Sequence, residues 1–314
     1  MNALEDLLQD ATAGDPMTGL KWTRKTLEKL ARGLRRRGYR VGRETVRRLL
    51  GLRDYSLRTN RKRLSKRRDV ERDRQMRYIA RKRRAFLKAQ KPVLSADGKK
   101  KEPIGNFKNA GRTWRRQPLE VLATDFSSDA EGKASLYGVY DVARNRGVVG
   151  VGVSHETAPF AVNVIRRWWR REGRHAYPDA EELLIQVDAG GANGYRSWGW
   201  RWALQQFADE TGLTLTVMHY PTSASKWNLI EHRLFNHISA NWAGQPLVSY
   251  ETVVNFIRTT CTKQGLTCSA YLDTADYPTG VKITPKQREL INLVLGRVLP
   301  KWNYTIKPRA GRQR

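Results

Sequence analysis

Three carboxylates in this sequence have the side-chain type and the setting that metal-dependent phosphodiester chemistry needs. Asp97 follows the mainly apolar run 92–96, Asp188 follows the run 183–187, and Glu231 lies early in a helical pattern. Two divalent cations roughly 3.5–4 Å apart activate the attacking oxygen and stabilise the leaving oxygen in such reactions. Mg²⁺ and Mn²⁺ prefer oxygen ligands, and a few carboxylates suffice. We therefore expect Asp97, Asp188 and Glu231 to be the catalytic residues and to bind two Mg²⁺ or Mn²⁺ ions.

Each of these acids also has an ordinary structural explanation. Asp97 and Asp188 stand where a strand would end in a turn, a common position for Asp. Glu231 could serve as an acid in the first turn of a helix. Asp125 and Asp141 also follow apolar runs, and spacing alone does not separate them from Asp97.

The three acids are far apart in the sequence, so only tertiary structure can bring them together. Asp188 follows Asp97 by 91 positions and precedes Glu231 by 43. The hydrophobic pattern predicts three strands, then helix, strand, helix, strand and helix. The predicted strands cover residues 92–97, 135–140, 148–153, 183–188 and 213–218, and the predicted helices cover 157–170, 197–210 and 225–240. This order predicts an α/β domain of the ribonuclease H-like type, with a mixed five-stranded sheet covered by helices.

The predicted helix around Glu231 has a recognisable core-facing side. Its apolar stripe consists of Trp227, Ile230, Leu234 and Ile238. Glu231 lies beside this stripe and near the helix N-terminus, where the helix dipole favours anions. We expect Asn228, one turn earlier on the same flank, and Lys226 to support the site.

The charge of the chain is strongly positive and unevenly distributed. The sequence has 59 Lys and Arg against 30 Asp and Glu, a formal net charge of +29. Residues 21–120 alone contain 36 of the basic residues and 9 of the acidic ones. A single-sign block of this density is typical of a protein that binds a polyanion, most often nucleic acid.

Residues 21–57 have the pattern of a helix-turn-helix. Apolar residues recur at helical spacing over 27–34, Gly38 interrupts the pattern, and a second short helix follows. That helix would direct Arg43, Arg47 and Arg48 outward, as in motifs whose second helix reads the DNA major groove. The sequence therefore predicts an all-α DNA-binding module over residues 1–57.

Two further basic stretches follow the predicted module. Residues 58–91, which include Arg61, Lys62 and Arg63, read as a helical connector that tracks a phosphate backbone. The catalytic domain is then predicted over 92–314. Its first loop contains four residues that we expect to contact DNA: Lys99, Lys100, Lys101 and Arg112. The aromatic residues of that loop, Phe107 and Trp114, either stack on DNA bases or belong to the core of a β-hairpin.

Other classes of protein are disfavoured by the same sequence. The apolar stretches are shorter than the roughly 20 residues that span a bilayer, and the N-terminus is acidic where a signal peptide would be basic. Cys261 and Cys268 lie seven positions apart, which matches neither a zinc motif nor a disulfide framework. We expect no membrane partner and a cytoplasmic, nucleoid-associated protein.

The amino-acid sequences of several segments resemble those of a known family. The match extends from about Gly14 to Pro308 and rests on VLSADGKKKEPIGNFKNAGRTW, LYGVYDVARNRGVVGVG, TAPFAVNVIRRWW, VDAGGANGYRS, SKWNLIEHRLFNHIS and WNYTIKP. These segments are similar to the DDE transposases of bacterial insertion sequences, of the ISAzo-type or Rhodopirellula-type family. The resemblance places the DDE triad on Asp97, Asp188 and Glu231 and so favours Asp97 over Asp125. It implies Mg²⁺-dependent cleavage at the ends of an element, followed by strand transfer into target DNA.

The sequence differs from the family that it resembles in two places. Family members usually have a longer N-terminal region with a further helix-turn-helix, whereas this sequence starts shortly before GDPMTGLKWT. Gly98 stands where the family often has Thr. The first departure implies an open reading frame that is truncated and leaves the recognition of element ends in question.

The function expected from all these observations is that of a DNA transposase. Its partners would be double-stranded DNA, both element ends and target, and a homo-oligomer in a synaptic complex. The alternative is a truncated, catalytically inactive remnant that occupies element ends. A structure-specific ribonuclease H-like nuclease is a second rival, which differs in that it forms no joined target products.

Overall fold

The computed structural model describes residues 2–9, 12–14, 21–23, 25–57, 71–222, 224 and 227–309. The chain divides into two compact units, Met1–Lys66 and Arg67–Arg314. Four of the residues predicted to bind DNA or support the site lie outside the described residues: Arg61, Lys62, Arg63 and Lys226.

The first unit consists of three short helices and a two-stranded sheet. Its elements are α1 (Asn2–Gln9), β1 (Thr12–Gly14), β2 (Lys21–Thr23), α2 (Leu27–Arg36) and α3 (Arg43–Gly51). The hydroxyl of Thr26 caps α2 by accepting a hydrogen bond from the Lys29 N–H. A small core fills the space between the helices and contains Leu4, Leu8, Leu30, Ala31, Leu34 and Val46.

Two predicted features of this unit can be compared with the structure. The predicted pair of helices is present as α2 and α3, and its role in DNA binding stays a prediction. The unit is not all-α, because β1 and β2 pair antiparallel. Strands of three residues are too short to produce a period-two hydrophobic pattern, which explains why the sequence did not indicate them.

The second unit is built on one mixed sheet of eight strands in the order β8-β5-β4-β3-β6-β7-β10-β9. The strands are β3 (Val93–Ile104), β4 (Gly132–Asp141), β5 (Arg146–Gly152), β6 (Glu182–Val187), β7 (Thr214–His219), β8 (Thr267–Asp273), β9 (Leu293–Leu295) and β10 (Asn303–Ile306). The middle five, β5-β4-β3-β6-β7, are the strands predicted from the sequence. Antiparallel pairing joins β3, β4 and β5, and parallel pairing joins β3, β6 and β7. The predicted ribonuclease H-like α/β class is therefore confirmed, with three more strands at the two edges of the sheet.

Helices cover both faces of this sheet. They are α4 (Arg72–Lys88), α5 (Ala158–Trp168) with a π-helical turn (Trp169–Gly173), α6 (Arg174–Ala176), α7 (Trp198–Thr211), a π-helical turn (Glu231–Phe235) leading into α8 (Asn236–Asn241), α9 (Tyr250–Arg258) and α10 (Pro285–Glu289). One core, containing Phe160 and Trp200, packs α5 and α7 on the first face. A second core, containing Leu234 and Ile257, packs α8 and α9 on the opposite face.

Side chains of the central strands alternate between these two cores. Tyr137 and Val139 belong to the first core, whereas Leu136 and Tyr140 belong to the second, as a period of two requires. Gly138 lets the helix that begins near Glu231 approach the sheet closely, since an added Cβ would lie 2.6 Å from a ring carbon of Phe235. In the described part of the chain, no helix combines the length and the apolar character needed to cross a membrane.

Candidate active site

Asp97 and Asp188 occupy adjacent positions on two parallel strands. The register of β3 and β6 pairs Ala96 with Val187, so each aspartate is the next residue along its strand. Neighbouring strands lie about 4.8 Å apart, which brings the two residues to the same edge of the sheet. Asp97 is 8% exposed, whereas Asp188 is half-buried. The topology therefore unites two acids that lie 91 positions apart.

A buried amide fixes the carboxylate of Asp97. The Oδ1 atom accepts a hydrogen bond from the Gly98 N–H at 2.9 Å, and Oδ2 accepts one from Asn228 Nδ2 at 3.2 Å. Asn228 is fully buried and is fixed in turn by the Ser95 hydroxyl, which donates to its Oδ1 at 2.5 Å. The same hydroxyl accepts from the Ile230 N–H at 3.0 Å. Ser95 and Asn228 thus attach the start of the helix that carries Glu231 to strand β3.

Glu231 completes an electrostatic cluster with the two aspartates. Burial, followed by the negative charges of Asp188 and Glu231, raises the pKa of Asp97 from 3.8 to about 8. Burial also raises the pKa of Glu231, with a contribution from Asp188 that His232 and Lys99 oppose. Each of the three carboxylates therefore lies in the field of the others.

Within the described ranges, no group of three or more His, Cys, Asp or Glu side chains is arranged so that it could hold a metal ion. Like charges in a partly desolvated pocket oppose close contact, and a divalent cation is the usual means of balancing them.

The backbone of Asp188 is fixed from behind by a neutral histidine. Its carbonyl accepts a hydrogen bond from His219 Nδ1 at 3.0 Å, so Nδ1 carries the ring proton. Nε2 then accepts from the Tyr304 hydroxyl at 3.1 Å. Burial lowers the pKa of His219 to about 4, which keeps the ring neutral at physiological pH. The carboxylate itself accepts from the Gly190 N–H at 2.9 Å.

A fourth carboxylate, Glu156, lies beside this cluster and was missed in the sequence. Burial raises its pKa, Lys101 opposes that shift, and Asp188 adds to it. A Cβ added to Gly98 would lie 2.1 Å from Oε1 of Glu156, so the glycine provides the space that this side chain occupies. Glu156 follows strand β5 after a few polar residues instead of directly. A search for acids at the end of apolar runs therefore passes over it.

The two competing aspartates lie elsewhere. Asp125 is exposed and lines a surface groove of about 550 Å³ together with Lys100 and Lys133. Asp141 is fully buried and accepts hydrogen bonds from the Tyr177 hydroxyl at 2.9 Å and the Ala143 N–H at 3.2 Å. The sequence predicted that the strand ends at Asp97, but β3 continues to Ile104. Of these three aspartates, Asp97 is the one whose pKa is raised, after burial, by the charges of Asp188 and Glu231.

The residues predicted to bind DNA differ in their accessibility. Arg43, Arg47 and Arg48 are exposed on α3 in the first unit. Three residues of the second unit, Lys100, Lys101 and Arg112, are also exposed. Lys99 differs from them, because its side chain is 13% exposed and pairs with Glu102 at 2.5 Å. Its ammonium group also lies 4.8 Å from the centre of the Trp242 ring.

Comparison with known proteins assigns the chain to a family. The strand order, with acids on and beside the central strands β3 and β6, defines a protein of the ribonuclease H-like class. A family model described as the Rhodopirellula transposase DDE domain matches residues 3–308. The chain belongs to this family of DDE transposases, as the motifs predicted.

Solved structures with a similar fold include several of the Mos1 transposase. The Mos1 paired-end complex with the left transposon end is 16% identical, with a TM-score of 0.43 over 81% of this chain and 68% of that chain. The Mos1 strand transfer complex is 15% identical, with a TM-score of 0.43 over 81% and 67% of the two chains. The Mos1 paired-end complex with Mg is 15% identical, with a TM-score of 0.42 over 81% and 68%. A comparison with curated protein sequences gave no significant match.

Proposed function

We propose that this protein cleaves DNA strands at the ends of an insertion sequence and transfers them into target DNA. Asp97, Asp188 and Glu231 are the catalytic residues in this proposal. The observation that carries it is the convergence of three acids from distant parts of the chain: burial first, and then the charges of Asp188 and Glu231, raise the pKa of Asp97 to about 8. Burying like charges together is unfavourable and is characteristic of functional sites.

The donor chemistry of the site fits two Mg²⁺ or Mn²⁺ ions. The four oxygens of Asp97 and Asp188 are hard ligands of the kind these cations prefer, and Glu231 adds two more. Asp97 and Asp188 would hold the first ion, and Glu231 would help to hold the second. When bound, such a pair lowers the pKa of the attacking group and stabilises the charge on the leaving oxygen.

The protein's own contribution is to keep these ligands in place. Each oxygen of Asp97 accepts one hydrogen bond, from Gly98 or from Asn228, and retains a lone pair for a cation. Asn228 therefore acts as a positioning residue. Lys99 is proposed to act in the same way, because its charge opposes the rise in the pKa of Glu231. The sequence predicts a direct DNA contact for Lys99, and its ion pair with Glu102 supports the positioning role instead.

Contacts with double-stranded DNA are proposed for the exposed basic residues. Lys100 and Lys101 lie on β3 beyond Asp97, Arg112 lies on the loop after β3, and Arg43, Arg47 and Arg48 lie on α3. We retain the division into a DNA-binding module over 1–57, a connector over 58–91 that includes Arg61, Lys62 and Arg63, and a catalytic domain over 92–314. Lys226 retains its proposed supporting role near Asn228. Joining two DNA ends requires a synaptic homo-oligomer.

The decisive experiment compares Asp188→Ala with Asp125→Ala. The substrate is labelled DNA that carries the ends of the encoding element, incubated with Mg²⁺ or Mn²⁺. We expect Asp188→Ala to abolish nicking and joining while it retains DNA binding, and Asp125→Ala to retain both nicking and joining. Nicking that persists in Asp188→Ala would refute the assignment. DNA binding without nicking by the wild type would favour the inactive remnant, and nicking without joined products would favour the rival nuclease.

A further inference from the structure

The loop between β3 and β4, residues 105–131, has a rigidly anchored tip. The Ala110 carbonyl accepts a hydrogen bond from the Gly244 N–H at 2.8 Å. Asn109 Nδ2 donates to the carbonyls of Trp242 and Gln245 at 3.3 and 3.1 Å. The first half of this loop is therefore fixed to the chain segment that follows α8.

This anchored loop exposes one tryptophan completely. Trp114 has a relative accessibility of 105%, whereas Phe107 of the same loop is 7% exposed. Phe107 is therefore buried in the unit, whereas Trp114 contributes no buried surface to it. Burial fits the core alternative for Phe107 and excludes it for Trp114.

The residues that flank Trp114 in the sequence are basic. They are Lys108, Arg112, Arg115 and Arg116, and the sequence has no acid between Glu102 and Glu120. All four basic residues are exposed. The same loop also exposes Leu119, Leu122 and Phe126. Exposed aromatic rings among basic residues are typical of surfaces that bind single-stranded nucleic acid.

Residues of this loop and of β3 line one groove together. It has a volume of about 550 Å³, and its charged lining consists of Lys100, Lys101, Lys108 and Lys133 with the acids Glu102 and Asp125. Lys100 lies three positions beyond Asp97 on the same strand. The anchor residue Trp242 follows Glu231 by eleven positions on a mainly helical segment, a rise of roughly 16 Å.

We propose that Trp114 stacks on an unpaired base of DNA whose backbone follows the groove of Lys100, Lys101, Lys108 and Lys133. The occupant is single-stranded DNA adjoining the duplex end. Bases inside a duplex present only their edges, and a ring such as Trp114 needs a free base face. This inference rests on the proposed function, because the DNA end is the substrate that it names.

The test measures equilibrium binding in EDTA, so that no cleavage is required. Two probes are compared: a blunt duplex, and the same duplex with a short single-stranded adenine tail that contains a fluorescent adenine analogue. We expect Trp114→Ala to weaken binding of the tailed probe by about 5- to 100-fold, since stacking contributes about 1–3 kcal/mol per base. Binding of the blunt duplex should change by less than about twofold, because no free base is present. Trp114→Phe, which retains a ring, should retain most of the affinity and the quenching of the analogue.

The matched control is a variant that lacks an exposed apolar side chain outside loop 105–131. Leu295, 57% exposed on the edge strand β9, serves this purpose as Leu295→Ala and should bind both probes as the wild type does. Equal losses on both probes in Trp114→Ala, or no loss on the tailed probe, would overturn the proposal. Since neither probe is cleaved, the result is independent of whether Asp188 is catalytic.

Discussion

The two faces of the central sheet hold their carboxylates in different ways. On the face of α8, neutral donors fix Asp97: the Gly98 N–H and the amide of Asn228, itself fixed by Ser95. On the face of α5, Glu156 occupies the space that a side chain at position 98 would fill, and a lysine, Lys101, opposes its pKa shift.

This difference indicates which acids are prepared for a cation. Neutral donors leave the Asp97 carboxyl group with free lone pairs and no compensating positive charge, so a bound cation would oppose the burial and repulsion that raise its pKa to about 8, whereas Glu156 already lies near the positive charge of Lys101. We therefore expect the face of α8 to dominate cation binding and the face of α5 to adjust it. The expected effects on activity and cation affinity, from the largest to the smallest, test whether the face of α8 contributes more to cation binding than the face of α5.

The largest effect is expected from Asp97→Asn, which removes the charge and keeps the shape. Cation binding at this carboxylate would supply several kcal/mol of transition-state stabilisation, so nicking should fall by at least about 1000-fold. Binding of duplex DNA, measured by fluorescence anisotropy, should change little. Activity within about tenfold of the wild type would remove Asp97 from the catalytic residues.

Asn228→Ala should have the next largest effect, because it removes the donor that orients Asp97. Loss of such an outer partner typically costs about 10- to 100-fold in metal affinity or activity. The measurement is the Mn²⁺ concentration that gives half-maximal nicking, together with Mn²⁺ affinity by calorimetry. Asn236→Ala, an exposed residue on α8, is the matched control and should leave both values unchanged. An unaltered Mn²⁺ requirement in Asn228→Ala would mean that the amide only stabilises the fold.

These two residues also show how much of the site the sequence could predict. The sequence predicts Asp97 and Asp188 because each follows an apolar run, and the family resemblance favours Asp97 over Asp125. The strand-end position holds for Asp188 but not for Asp97, since β3 continues to Ile104. Asn228 was expected to be a supporting residue, but its partner Ser95 was not. A hydroxyl inside an apolar strand gives no sign of what lies 133 positions away.

The sequence could not predict Glu156 or the edge strands β9 and β10, for a different reason. The space that Glu156 occupies depends on Gly98, and the sequence alone gives no sign of that contact. Strands β9 and β10 contain three and four residues, too few to show an alternating pattern. The central five strands are longer, and each contains the apolar or alternating run that predicts a strand.

A smaller effect is expected on the pH dependence of folding stability, because the pKa of Asp97 is raised in the folded protein. Its pKa is raised in the folded protein, so the folded state binds a proton more tightly than the unfolded state between about pH 4 and pH 8. Stability should therefore fall as pH rises through this range in EDTA. We expect Asp97→Asn to flatten this dependence and to raise the melting temperature at pH 8, and added Mg²⁺ to stabilise the wild type selectively. A wild-type stability that increases from pH 5 to pH 8, with no change in Asp97→Asn, would contradict the sign.

Glu156→Gln tests the weaker face and should have the smallest effect. A half-exposed carboxylate beside a lysine contributes up to about 1 kcal/mol, so Mn²⁺ affinity should fall by no more than about fivefold. Gly98→Ala should act in the same direction, because the added methyl group displaces the Glu156 side chain. The double variant should then be no weaker than Glu156→Gln alone, since both changes remove the same group. If Glu156→Gln instead lowered Mn²⁺ affinity more than Asn228→Ala does, the ranking of the two faces would be reversed. Glu156 would then be a principal ligand, and the geometry around Gly98 would matter as much as the buried amide network.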